Sequence, residues 1–187
     1  MIDYPLESAV VDAFVPSQAV ASHKKKMYVV VSQKEYLAPY QEIINGAGLV
    51  LTKISVQEMV LRNLLSLYGK GDQPAALLQV SLTRSLLMVV MDDDVTLMRT
   101  LNLGARQLSG MDDLSRLDEE LKRSLSYYHE QLKQEAPEHV WVAPLLQADA
   151  ALVQKMKTEL PDNVALFDLS AVVTMPLGVS MDEQARC

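Results

Sequence analysis

Between Ala75 and Leu169 three strand-like runs follow one another before any helix begins. They are Ala75-Ala-Leu-Leu-Gln-Val-Ser81, Ser85-Leu-Leu-Met-Val-Val-Met91 and Val95-Thr-Leu-Met-Arg-Thr-Leu101. Each is short, branched or apolar, and bounded by turn chemistry. A long helical pattern comes next, then Val140-Trp-Val142, a second helical pattern, and Val164-Ala-Leu-Phe167. This order narrows the fold far more than it narrows the function.

Strand, strand, strand, helix, strand, helix, strand is the order of the ribonuclease-H-like unit. Actin-like ATPases, Hsp70-type chaperones, sugar kinases and several nucleases are built on it. The best-defined element lies between Asp113 and Lys133. Leu114, Leu117, Leu121, Leu125, Tyr128 and Leu132 recur there at spacings of three and four, which predicts a core stripe. Asp112 and Asp113 open it, where the helix dipole favours anions. Gly104 and Gly110 lie in the loop before it.

Upstream, Ala9-Val-Val-Asp-Ala-Phe-Val15 reads as a strand and Met27-Tyr-Val-Val-Val31 as a fully apolar, central one. Tyr36, Leu37, Tyr40, Ile43 and Ile44 share a helix face, and Asn45-Gly-Ala-Gly48 ends that helix. Leu49–Ile54 reads as a further strand, and Ser55 as the cap of a second helix. The segment from Tyr68 to Pro74 is the obvious linker. The organisation expected is a small α/β unit over 1–54, a connecting helix and linker over 55–74, and an incomplete ribonuclease-H-like lobe over 75–187. Both ends read as cut from a longer protein.

Composition excludes several functions. The 187 residues are 49 % hydrophobic and carry a formal net charge of -7. A nucleic-acid binder working by phosphate neutralisation is not expected from such a balance. The only basic run, Lys24–Lys26, precedes a strand. Cys187 is the single cysteine, so no disulfide framework exists and a reducing compartment is expected. No apolar run approaches the ~18 residues of a membrane span. His23, His129 and His139 show no ligand spacing, and no metal site is expected.

The chemistry-bearing candidates are few. In actin-like ATPases the opening hairpin of such a lobe carries an Asp-x-Gly-x-x-x-Thr type loop that holds phosphate and metal. Here the turn reads Gln79-Val-Ser-Leu-Thr-Arg-Ser85, with Gln79 in place of the acid and Ser81 in place of the glycine. Ser81 and Thr83 retain hydroxyls that can donate to a phosphate, or the segment is an ordinary hairpin turn. Two-metal nuclease chemistry needs converging carboxylates. The first strand offers Gln79, the fourth none, and only the helix has acids, Glu119 and Glu120. Glu120 and Arg123, three apart, are either an adenosine contact or a surface ion pair. Asp92-Asp-Asp94 reads as turn-forming aspartate.

Several pieces together resemble one family. They are Tyr4-Pro-Leu-Glu7 leading into Val10–Val15, Tyr28–Val31, Ala47-Gly-Leu49, Gln79–Thr83 and Glu120-Leu-Lys-Arg-Ser-Leu-Ser-Tyr-Tyr128. The chain resembles the PilM-like actin-like assembly proteins of type IV pili. The altered phosphate loop and Pro176-Leu-Gly-Val179 resemble the MSHA-pilus branch, MshI. The resemblance implies an FtsA-like body. Residue 2 to about Gly48 would be subdomain 1C, Leu49 to about Gly69 the returning strand and helix of 1A, and the rest part of lobe 2. It implies a groove for the cytoplasmic tail of an inner-membrane PilN-like protein, and ATP between the lobes of the full-length parent. Ser81, Thr83, Glu120 and Arg123 would line a degenerate nucleotide site, with no cofactor expected for this chain. Two functions follow: a non-enzymatic cytoplasmic scaffold of pilus assembly, peripheral to the inner membrane through its partner, or a nucleotide-binding actin-like ATPase.

Overall fold

A computed structural model of the chain describes residues 4–15, 27–68, 73–108, 113–144, 150–159 and 163–168. His23, Lys24–Lys26, residues 69–72, Gly110, Asp112, Pro176–Val179 and the tail to Cys187 lie outside the described residues. Contacts divide the chain into two units, Met1–Leu61 and Arg62–Cys187, with the boundary inside helix α2 (Gln57–Tyr68).

The second unit is built on five strands: β3 (Ala75–Val80), β4 (Ser85–Met91), β5 (Asp94–Leu101), β6 (Val140–Pro144) and β7 (Val164–Leu166). Their order is β5-β4-β3-β6-β7. The first three pair antiparallel, and β6 and β7 join parallel to β3 and to each other. Short turns suffice for the antiparallel part, whereas the parallel part needs crossovers. These carry α4 (Asp113–Glu130) and α5 (Ala150–Glu159). A short α3 (Ala105–Leu108) follows β5. The expected ribonuclease-H-like order is present in full.

Alternation along the strands sends Ala76, Leu78, Val80, Leu87, Val89, Leu97, Leu101, Val140 and Val142 to one face. Leu114, Leu117, Leu121 and Tyr128 of α4 pack against it, with Leu152 and Met156 of α5. Leu125 and Leu132 pack at its margin, so the predicted stripe is the core. On the opposite pleat Leu77 and Met88 are also 0 % exposed, as is Leu65 of α2. The Tyr68 ring lies 4.9 Å from Trp141 and 4.4 Å from Phe167. The sheet is therefore buried on both faces.

Two local features shape the β4–β5 hairpin. Asp92 and Asp93 both take positive φ, 51° and 61°, between the paired Met91 and Asp94. That is a two-residue type I′ turn, which aspartate tolerates better than most residues. Pairing then shifts between Val89 and Val90, leaving Thr96 as an extra residue on β5. The Thr96 hydroxyl lies 3.1 Å from the Val89 carbonyl and 3.0 Å from the Tyr128 hydroxyl. A buried tyrosine thus finds its polar partner at a bulge. Burial raises the Tyr128 pKa, while the Thr96 bond lowers it by less.

In the first unit β1 (Ala9–Phe14) and β2 (Tyr28–Gln33) form a two-stranded antiparallel sheet, with Phe14 and Tyr28 stacked at 5.3 Å. Helix α1 (Lys34–Gly46) follows, and Lys34 Nζ donates to the Glu7 carbonyl at 2.8 Å. Gly48, at φ 74°, closes the helix end as its sequence implies. Three expectations need correction. β2 is not central among the described residues, since only β1 pairs with it, and Val29 is 49 % exposed. Leu49–Ile54 is not a strand, because no described strand pairs with it and a ladder needs a partner. The helix cap moves from Ser55 to Val56, whose carbonyl accepts the first helical amides, those of Met59 and Val60.

Candidate functional site

The β3–β4 turn holds the first pair of candidate residues. Ser81 is half-buried and Thr83 exposed. The Ser81 amide donates to the Arg84 carbonyl at 2.9 Å. The Ser81 and Leu82 carbonyls accept from the Ala105 and Arg106 amides at 2.8 and 3.0 Å. Those two amides open α3 and would otherwise be unpaired. The Gly104 amide is capped by Gln107 Oε1 at 3.1 Å, half of a capping box. Buried Ser85 donates to the Leu103 carbonyl at 2.5 Å. The turn is therefore clamped to the segment after β5.

Gly104 makes that clamp possible. A Cβ there would lie 2.4 Å from Arg84 N and Thr83 C. The sequence places Gly104 in a loop, but only the fold shows two backbones crossing there. A phosphate cradle needs several amides aimed outward at one point. Here the Ser81, Ala105 and Arg106 amides are spent on carbonyls of the chain itself.

Glu120 and Arg123 form the second pair. Arg123 Nη1 donates to Glu120 Oε1 at 3.0 Å, and Arg99 Nη2 donates to Oε2 at 3.1 Å. Arg99 Nη1 also donates to Ser124 Oγ at 3.0 Å, and Ser124 donates to the Glu120 carbonyl at 2.6 Å. Both carboxylate oxygens are thus engaged. The Glu120 side chain is 29 % exposed and that of Arg123 67 %, so each pair is worth under about 1 kcal/mol. Arg99 escapes a motif search. Its signal is parity: it shares a pleat with the core residues Leu97 and Leu101, where a charge requires a partner. No hydrogen bond or ion pair among the described residues joins the Ser81–Thr83 turn to the Glu120 network.

No group of three metal-ligating side chains gathers among the described residues. His129 Nδ1 lies 2.9 Å from the Gln134 carbonyl in a surface hollow lined by Glu130, Lys133, Gln134 and Glu135. That mixed-charge lining suggests no particular chemistry.

The first unit offers a different kind of surface. None of its described residues is buried. Tyr36, Tyr40 and Ile43 of α1 are 65, 65 and 69 % exposed, and Leu49 and Val50 are 61 and 83 % exposed. Of the five apolar positions expected on one face of α1, only Leu37 and Ile44 are half-buried. Five residues at these spacings span a wide arc. A two-stranded hairpin is too narrow to cover all of it.

Solved structures that match the fold include the following two. The first is the PilM-PilN type IV pilus biogenesis complex, with a TM-score of 0.58 and 18 % identity over 98 % of this chain. The fold is actin-like and PilM-like. A protein of actin-like ATPase fold and unknown function from Bacteroides thetaiotaomicron matches at a TM-score of 0.50 and 14 % identity, over 96 % of this chain. This chain spans 63 % of the length of the first match and 59 % of the second. No protein-family model matches the sequence, and no curated protein matches it.

Proposed function

We propose that this chain belongs to a non-enzymatic scaffold of type IV pilus assembly, of the MSHA branch, that binds the cytoplasmic tail of an inner-membrane PilN-like protein. The carrying observation is the fold match along 98 % of the chain to a PilM solved with PilN. The first unit supports it, because its exposed apolar side chains suit a partner better than they suit water. Among the described residues no helix is long and apolar enough to cross a membrane, so membrane association is assigned to the partner. On this reading the protein works at the cytoplasmic face of the inner membrane.

The second reading is a nucleotide-binding actin-like ATPase. The actin-like ATPase fold of the Bacteroides match favours it. Gln79 in place of an acid and the clamped Ser81–Arg84 turn speak against it. Two measurements test the choice. A labelled PilN-like tail should bind the chain saturably, whereas a scrambled tail should not. Phosphate release from ATP should stay at the buffer level. Turnover abolished by Thr83→Ala would establish the ATPase reading instead.

A further inference from the structure

Helix α2 belongs to both units. The boundary falls between Leu61 and Arg62, so the rest of the helix, Arg62–Tyr68, opens the second unit. That half-helix is fastened to its own unit at both ends. At one end Arg62 Nη1 donates to the Asp93 carbonyl at 2.7 Å, in the β4–β5 turn. At the other the Tyr68 ring packs on Trp141 of β6 and on Phe167, and its hydroxyl donates to the Asp168 carbonyl. The strand order puts these two fastenings on opposite sides of β3. Between them lies Leu65, the one fully buried residue of α2.

The Arg62 end is the weaker of the two. Its Nε is buried without a hydrogen-bond partner among the described residues, a cost that the single bond from Nη1 only partly offsets. Ser66 Oγ donates to the Arg62 carbonyl at 3.0 Å and so competes with the helix's own bond to that oxygen. A helix of 12 residues is marginal in water on its own, so α2 does not outlast its contact with the sheet. We infer that Arg62–Tyr68 is a clasp that undocks and melts in one step, with Arg62 as its catch, while the five-stranded sheet stays folded. Closed, the clasp ends the first unit's attachment at Leu61. Open, it adds Arg62–Tyr68 to the chain that joins the units, and each freed residue spans up to about 3.5 Å in place of about 1.5 Å. The clasp thereby sets the length of the tether that carries the first unit, whatever partner that unit takes.

Amide hydrogen exchange of the whole chain reads the clasp directly. Trp141, the only tryptophan, reports when Tyr68 leaves it. Arg62→Ala should speed exchange across 63–68 about tenfold, the loss of one charged hydrogen bond, and move Trp141 emission to the red. Tyr68→Ala should speed exchange at the Arg62 end by at least as much. Leu67→Ala, at an exposed position, should do neither. Protection in β3–β5 should stay native in all three. The native chain gives an independent reading: amides 63–68 should show a shallower urea dependence than those of β3–β5, because their opening exposes less surface. Native exchange over 63–68 in Arg62→Ala would overturn the clasp. So would equal urea dependence in the native chain, which would mean that helix and sheet unfold together.

Discussion

The two units of this chain use similar apolar residues to opposite effect. In Arg62–Cys187 the sheet is covered on both faces, and side chains such as Leu78, Leu117 and Tyr128 are 0 % exposed. In Met1–Leu61 the described residues include no buried side chain at all. Five strands give helices a surface wide enough to dock on, whereas two strands do not. Hydrophobic content therefore does not decide which unit owns a core. Among the described residues the unit with five strands owns one and the unit with two does not.

The largest test of that contrast compares one leucine with one tyrosine. Leu121→Ala opens a cavity in the α4 stripe and should lower unfolding free energy by about 2–5 kcal/mol. Tyr40→Ala removes a larger side chain from an exposed position and should change it by less than about 0.5 kcal/mol. Denaturant titration of both variants checks the pair, and equal losses would erase the distinction between the units.

Gly104→Ala comes next. Its methyl group meets backbone rather than a flexible side chain, so relief requires moving the β3–β4 turn or α3. A loss of about 1–3 kcal/mol is expected, with faster amide exchange at Ala105 and Arg106.

Tyr128→Phe should cost about 1 kcal/mol near neutral pH, since Thr96 keeps its bond to Val89 while losing the phenol. The pH profile is more telling. Burial holds the folded-state pKa of Tyr128 above that of the unfolded chain. Above about pH 10 the unfolded state loses a proton that the folded state keeps, so stability falls as pH rises. The same holds for Tyr28 and Tyr68, also raised by burial. Alkaline melting curves of Tyr128→Phe should therefore fall less steeply than those of the native chain.

The smallest effect has the opposite sign. Asp93→Gly suits the positive φ of the turn and should stabilise by up to about 1 kcal/mol. The Asp93 carbonyl, which accepts from Arg62 Nη1 at 2.7 Å, survives the change. A destabilised variant would show that the aspartate side chain does more than tolerate the turn.

What could be read from the sequence follows from where each signal is stored. The leucines of α4 and the three runs of β3–β5 announce themselves through local period. So did the Asp92–Asp93 turn, through residue type. Leu49–Ile54 has the composition of a strand, but a strand also needs a neighbour, and composition carries no record of one. The α1 spacing gave the apolar arc correctly and overstated how much of it is covered. For the candidate site the sequence nominates Ser81, Thr83, Glu120 and Arg123 by type and position alone. It does not show their surroundings: Arg99 reaches Glu120 from 21 positions away, and the turn is fastened by a glycine whose neighbours are distant in sequence.

The bulge at Thr96 acts as a proofreading device for β5. A hairpin this apolar has competing alignments, and a slip of one residue exchanges its two faces. Only one alignment presents the Thr96 hydroxyl to Tyr128, which lies 32 positions later in the chain. Correct alignment is thus rewarded twice, by the Val89 carbonyl within the hairpin and by Tyr128 once α4 has arrived. Strand and helix should mature together, gaining protection from hydrogen exchange as a single cooperative step.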